Sequence, residues 1–320
     1  MDATIVRALT GPRDHPVLSI VRVYRAEVAD QRDACTDTAR LARWFGTVTG
    51  DPARVGDTFG AALSDDPDDR ATGRVLRCAD DEVAVEWSWQ GEATSVISAR
   101  FRPVDDNRTE LTLRHELAEP DHAVGYGGGW EQVLQSLARA LGAASPDAPG
   151  DEDSEGGAAE VWLTITRAPL ELERTLDADA QRVWAALATE EGLRSWWWKH
   201  WDDVTIEADV RRGGAYRIEA PGAGIVLDGR YLDVVPPAGG RAGRLSMTWR
   251  WSDADGTSAD EAVDIHVHTG GGAADDAPGA GAASGTRVVV RHSGPWADDA
   301  PAESYRQGWE FTLGALGDAL

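Results

Sequence analysis

At 320 residues the chain is long enough for two domains with separate cores. Its formal net charge of −24 argues against phosphate-driven binding of DNA or RNA and against docking on anionic membranes. No apolar run approaches the roughly eighteen residues of a membrane span, and the first ten residues lack the charged-then-apolar pattern of a signal peptide, which predicts a cytoplasmic protein. The only lysine is Lys199, so nearly all cationic side chains are arginines, a bias that looks like codon usage in a GC-rich genome. Cys35 and Cys78 fall in the first half without counterparts in the second, so free buried thiols are expected.

In chain order, residues 5–9 and 17–27 read as strands joined by a Gly-Pro-Arg-Asp-His-Pro turn. Residues 30–45 follow as two short helical pieces broken near Thr36 and Asp37, an N-cap-like pair, and end in Trp44-Phe45. Short strands are predicted over 55–62, 72–78, 82–89, 94–101 and 109–115. Strict alternation puts Val83, Val85, Trp87 and Trp89 on one face, and likewise Leu111, Leu113 and His115. A helix from Trp130 closes this half. The glycines of 125–129 lack the lysine and spacing of a phosphate loop and read as a hinge before that helix. Residues 143–159, rich in Pro, Gly and acid, read as a flexible linker spanning roughly 20–25 Å.

The second half repeats the programme. Residues 161–175 give strand material and 180–197 two helices. Strands are expected over 204–209, 214–219, 225–234, 245–251, 262–268 and 286–292. Leu245, Met247, Trp249 and Trp251 share one face, as do Val288, Val290 and His292. The closing string Tyr-x-x-Gly-Trp-Glu-x-x-Leu-x-x-Leu-x-x-x-Leu at 305–320 occurs also at 126–141. Trp309, Leu313, Leu316 and Leu320 lie on one helical stripe, and Gly129 and Gly308 would sit just before each helix. The Gly/Ala-rich run 270–284, with the composition of a disordered loop, accounts for the different offsets between the two Trp pairs and the two His residues. The expected organisation is therefore a domain at 1–142, a linker at 143–159 and a second domain at 160–320.

These residues resemble a known family. Within 174–320 stand Arg-Thr-Leu, Val-Trp-Ala-Ala-Leu-Ala-Thr, Leu-Arg-Ser-Trp-Trp, Arg-Arg-Gly-Gly-Ala-Tyr, Leu-Asp-Gly-Arg-Tyr-Leu-Asp-Val-Val-Pro-Pro, Leu-Ser-Met-Thr-Trp-Arg-Trp, Gly-Thr-Arg-Val-Val-Val-Arg-His and Gly-Trp-Glu. In that order they look like the Activator of Hsp90 ATPase homologue-like domain of the START-like (SRPBCC) superfamily. The first half is a more diverged copy, keeping Trp87-Ser88-Trp89, the strand ending in His115 and Gly129-Trp130-Glu131, but lacking the Arg-Arg-Gly-Gly and Pro-Pro elements. The resemblance implies an α+β helix-grip fold, a curved antiparallel sheet around a long C-terminal helix with a cavity between them. It also implies binding of small apolar or aromatic molecules, cyclase chemistry in a few branches of the superfamily, or contact with a chaperone, as in the eukaryotic namesakes.

The candidate cavity residues are Trp87, Trp89, His115 and Trp130 in the first half, and Trp197, Tyr216, Trp249, Trp251, His292 and Trp309 in the second. Indoles offer flat apolar faces with an N–H handle, and equally fill a core. A histidine among them could hold a polar group or act as a base, yet no Asp or Glu shares its strand's inner face to orient it. His266 and His268 could supply two metal ligands at i, i+2, but Val263, Ile265 and Val267 should be the buried set, leaving the histidines on a wet convex face with no third ligand. The aromatic run 196–201 could gate the cavity or form a partner surface. No nucleophile motif, metal site or cofactor motif is found. The expected function is binding of a small hydrophobic or aromatic ligand. A cyclase- or dehydratase-type enzyme using His292 or His115, and a chaperone-associated interaction module, are the alternatives.

Overall fold

The structure is a computed structural model that describes residues 5–142, 154–166, 170–269, 285–296 and 300–320. It divides into two units, Met1–Thr166 and Arg167–Leu320.

The first unit runs β1 (Val6–Thr10), β2 (Val17–Tyr24), α1 (Val28–Thr36), α2 (Thr38–Leu41), β3 (Thr47–Gly50), β4 (Thr58–Ala62), β5 (Arg70–Cys78), β6 (Glu82–Trp89), β7 (Ser95–Asp105), β8 (Arg108–Glu116), α3 (Ala123–Ala140) and α4 (Ser154–Ile165). Its antiparallel sheet has the order β1-β2-β8-β7-β6-β5-β4-β3. Asp37 caps α2 by accepting from the Arg40 N–H, so the expected break falls where an N-cap fits. Period-two alternation gives the sheet one apolar face. Trp130, Leu134 and Leu137 of α3 bury against it with Leu18, Ile20, Trp87 and Leu113. Each fully buried leucine contributes roughly 2 kcal/mol of apolar transfer.

The second unit runs β9 (Leu170–Leu176), α5 (Ala180–Leu187), α6 (Glu190–Trp196), β10 (Thr205–Ala208), β11 (Ala215–Ala220), β12 (Ile225–Val235), β13 (Gly243–Asp253), β14 (Gly256–Thr257), β15 (Glu261–His268), β16 (Thr286–Ser293) and α7 (Ala300–Ala319). The sheet order is β10-β11-β12-β13-β15-β16-β9, with β14 pairing β13. Asp179 and Thr189 cap α5 and α6. Trp309, Leu313 and Leu316 of α7 pack on Val263, Ile265, Val288 and Val290. Apart from β1 and β14, each strand has a counterpart in the other unit, in the same place in the sheet. Both units have the α+β helix-grip architecture.

Several local expectations change. Both closing helices start earlier than Trp130 or Trp309: α3 begins at Ala123 and α7 at Ala300, so Gly125, Gly127, Gly129 and Gly308 are helical and no hinge precedes Trp130. Burial of one face outweighs the low helix propensity of glycine. Gly127 has a specific reason to lack a side chain, since a Cβ there would lie 2.3 Å from Cδ2 of Trp162. That tryptophan belongs to α4, so residues 161–165 are helical rather than strand, and β9 starts at Leu170. Of the stretch 143–159 expected as linker, residues 143–153 lie outside the described residues and the remainder opens α4. Trp162 and Ile165 join the first unit's core. Strand β3 was not anticipated in the sequence. The run 270–284 lies outside the described residues.

Candidate functional site

The same register builds one site in each unit. In the second, Trp249 of β13 pairs with Glu261 of β15, and Val263 pairs with His292 of β16. In the first, Trp87 of β6 pairs with Ser95 of β7, and Ile97 pairs with His115 of β8. Glu261 and Ser95 are therefore equivalent positions, as are His292 and His115.

His292 is fully buried. Trp309 donates its indole N–H to His292 Nδ1 at 3.2 Å, and His292 Nε2 lies 3.0 Å from Glu261 Oε2. With Nδ1 accepting, the proton of the neutral ring is on Nε2 and points at the carboxylate. Burial holds the imidazole below its ordinary pKa despite the opposing pull of Glu261. Glu261 Oε1 accepts from Trp296 Nε1 at 2.9 Å. The half-buried Tyr305 of α7 lies 4.1 Å from the His292 ring, centroid to centroid. Burial, then the charge and hydrogen bond of Glu261, raise its phenol far above the ordinary value.

In the first unit Trp130 donates to His115 Nδ1 at 3.2 Å, and His115 Nε2 donates to Ser95 Oγ at 2.8 Å. Ser95 passes the chain on to the Trp87 carbonyl at 3.1 Å. Burial pushes the His115 pKa down to about 3. Tyr126, the counterpart of Tyr305, instead donates to Glu92 of the β6–β7 turn at 2.6 Å. Where the second unit has Glu261 and Trp296, the first has smaller residues and a pocket of about 10 Å³, the space of one water, lined by Ser95, Leu117, Tyr126, Glu92, Glu119 and His122.

Most candidates predicted from the sequence meet here. Trp197, Trp249 and Trp309 form one cluster, with centroids 5.3 Å apart for Trp249 and Trp309 and about 6 Å for the contacts of Trp197. Trp87, Trp89 and Trp130 gather around Phe45 and His115 in the first unit. Trp251 is set aside: its ring packs on Trp198 and its N–H turns to Asp253 at 2.8 Å. Tyr216 is set aside too, its hydroxyl donating to the Thr248 carbonyl at 2.6 Å beside Tyr231. Trp196, Trp197 and Trp198 are buried, so the first half of the 196–201 run is core, while Lys199 and His200 are exposed. Trp198 takes a left-handed φ of 49°, which reverses the chain between Trp197 and Trp201.

The convex face is less wet than expected. His266 is half-buried and its Nε2 lies 2.6 Å from buried Asp264, which also accepts from Ser246 at 2.5 Å. Among the described residues no group of three or more His, Cys, Asp or Glu could hold a metal. None of the described helices is long and apolar enough to cross a membrane.

Sequence reasoning missed Glu261, Ser95, Trp296 and Tyr305. Glu261 was readable: it has the parity of Val263, Ile265 and Val267, so extending their alternation by one step places it inward. An orienting acid was sought on the histidine's own strand, whereas it stands on the neighbouring one.

Compared with known proteins, the chain matches the family model of the Activator of Hsp90 ATPase homolog 1-like proteins over residues 33–142 and 177–320. The chain belongs to this family. As an Activator of Hsp90 ATPase homolog 1-like protein it carries two copies of the domain. No curated protein matches it. Among solved structures it is similar to CalU16 from Micromonospora echinospora, at 27% identity over 51% of this chain and 99% of that one, with a TM-score of 0.43. It is also similar to DynU16, encoded in the dynemicin biosynthetic locus, at 17% identity over 96% of this chain and 98% of that one (TM-score 0.37). A third similar structure is an HSP90 activator from Plasmodium falciparum, at 19% identity over 39% and 96% of the two chains (TM-score 0.33).

Proposed function

We propose that this protein binds a small aromatic or apolar molecule between sheet and closing helix, and that the second domain is the principal binder. The observation that carries this reading is the Glu261–His292–Trp309 chain of hydrogen bonds inside the largest aromatic cluster of the protein. A buried polar network rarely adds to stability over an apolar filling of the same shape. Polar groups converging within an aromatic enclosure are the usual make-up of a ligand site. Tyr305 and Trp296 are half-buried beside it, so the guest would enter past residues that already touch solvent.

Binding fits the histidine better than catalysis does. Nδ1 of His292 is occupied by an indole N–H and Nε2 carries a proton committed to Glu261. A general base needs a free lone pair facing its substrate. His115 is held the same way by Trp130 and Ser95.

The test is titration of the full-length protein with a panel of naphthalene- and anthracene-based probes, followed by tryptophan quenching and native mass spectrometry. Saturable quenching with a bound mass, weakened about tenfold or more by Trp249→Ala but not by Trp87→Ala, is expected. No saturable quenching and no retained mass across the panel would refute the reading and turn attention to a protein partner.

A further inference from the structure

Resting on that reading, we infer that the second-domain ligand carries a protonated amine, received by Glu261 within the rings of Trp249, Trp296, Tyr305 and His292. The argument starts from how this protein treats its other buried carboxylates. Glu131 holds Arg7 through two bonds of 2.6 and 2.7 Å. Glu110 holds Arg102, Glu82 lies against Arg77 and Arg100, and Asp233 binds Arg244. Each of these four carboxylates thus has an arginine, as burial of an ion requires, while buried Asp264 lies against His266 and Ser246 on the other face of its sheet.

Glu261 is 4% exposed and has no arginine or lysine partner among the described residues. Its ion-pair partner is His292, whose Nδ1 accepts the Trp309 N–H and which is therefore held in its neutral form. The side chains that hydrogen-bond its oxygens, His292 through Nε2 and Trp296 through Nε1, are neutral donors. They satisfy the hydrogen bonds of an ionised carboxylate, which accepts only, but leave its charge uncompensated.

The rings around it complete a cation receptor. Trp296 and Tyr305 stack at 5.9 Å with 24° between their planes, Trp249 meets His292 at 5.2 Å, and Tyr305 meets Trp249 edge-on at 6.2 Å. Ring faces attract an ammonium group, most strongly when it is desolvated, and a carboxylate adds a charge-assisted hydrogen bond. The half-buried Trp296 donates the bond that the incoming N–H would replace. The other copy supplies the contrast. Its equivalent position is Ser95, neutral and already engaged by His115 and the Trp87 carbonyl. The first domain therefore has no carboxylate at this position, and the two that line its pocket, Glu92 and Glu119, lie beside His122 instead.

A matched set of probes separates this inference from the reading beneath it. Full-length protein is titrated with 1-naphthylmethylamine, with the neutral 1-naphthalenemethanol and with the anionic 1-naphthaleneacetate. The titrations are run at about 0.5 M salt, which screens the acidic surface but not a buried carboxylate. The amine is expected to bind at least about tenfold more tightly than the alcohol, with the acetate weakest. Glu261→Gln should bring amine and alcohol together, through a loss of at least about tenfold in the amine's affinity relative to the alcohol's. Equal affinities for amine and alcohol in the wild-type protein would overturn the inference and leave the binding reading standing, with no variant needed to decide. A preference that survives Glu261→Gln would also overturn it, by placing the cation elsewhere. Binding of none of the three would overturn both.

Discussion

The indole N–H of Trp309 donates to Nδ1 of His292 at 3.2 Å, and Trp130 makes the same bond to His115 at the same distance. This bond fixes the tautomer of each ring and closes the nitrogen that would otherwise take up a proton. It also ties the closing helix to the sheet at a matched point in both copies. The Trp of the repeated Gly-Trp-Glu string is thus a hydrogen-bond donor to the strand histidine as well as an apolar anchor.

Acid sensitivity follows from the buried histidines. The His115 pKa falls to about 3 in the folded state and that of His292 is also lowered, both chiefly by burial. In the unfolded chain a histidine titrates near pH 6.5. Below that pH the unfolded chain binds a proton that the folded one refuses, so stability drops as pH falls from about 6.5 toward 3. The loss is at most roughly 1.4 kcal/mol per pH unit per histidine. Urea midpoints measured between about pH 7.5 and 4 should fall accordingly, and His115→Gln should flatten the slope of the first-domain transition. An unchanged slope would show that His115 is protonated in the folded protein.

Trp309→Phe removes the donor but keeps most of the packing. Nδ1 of His292 is then free to bind a proton beside Glu261, and the histidine pKa should rise toward its ordinary value. Histidine ring signals in a pH titration by NMR would report this. A ring that still resists protonation would mean that burial alone holds it neutral.

Gly127 and Gly129 lie in one helix but should respond oppositely to alanine. A Cβ at 127 would meet Trp162 at 2.3 Å, whereas one at 129 meets nothing within 4 Å. Trp162 is fully buried and donates to Glu131 Oε1 at 2.7 Å. Gly127→Ala should displace α4 and cost roughly 1–3 kcal/mol, exposing 154–166 to protease. Gly129→Ala should be neutral or stabilising by up to about 1 kcal/mol, since it restores helix propensity in open space. Limited proteolysis and thermal unfolding of the two variants check the contrast.

Tyr216→Phe separates packing from binding at a residue that the sequence placed in the cavity. Its hydroxyl is spent on the Thr248 carbonyl at 2.6 Å in a buried setting. Loss of that bond should cost roughly 1–2 kcal/mol with no change in ligand quenching. A change in affinity at equal stability would return Tyr216 to the site.

The duplication, the α+β class, the inward parity of Trp87, Trp249, His115 and His292, and the apolar stripe of the closing helices were all legible in the sequence. Alternation and helical spacing are local, and a face that must be buried writes its period into the chain. Helix starts were not legible, because Ala123 and Ala300 open helices whose glycines are held by packing rather than by propensity. Nor was α4, whose order depends on Trp162 reaching Gly127 and Glu131, more than thirty residues away in the chain. The pairing that makes the candidate site was beyond local reading for the same reason. Glu261 meets His292 only because β15 and β16 are neighbours in register, and Ser95 stands in its place only because β7 and β8 repeat that register. Sequence periodicity determined which side chains turn inward. Tertiary pairing alone decided which of them share a hydrogen bond, and so set the buried Glu261 among aromatic rings against a histidine held by an indole.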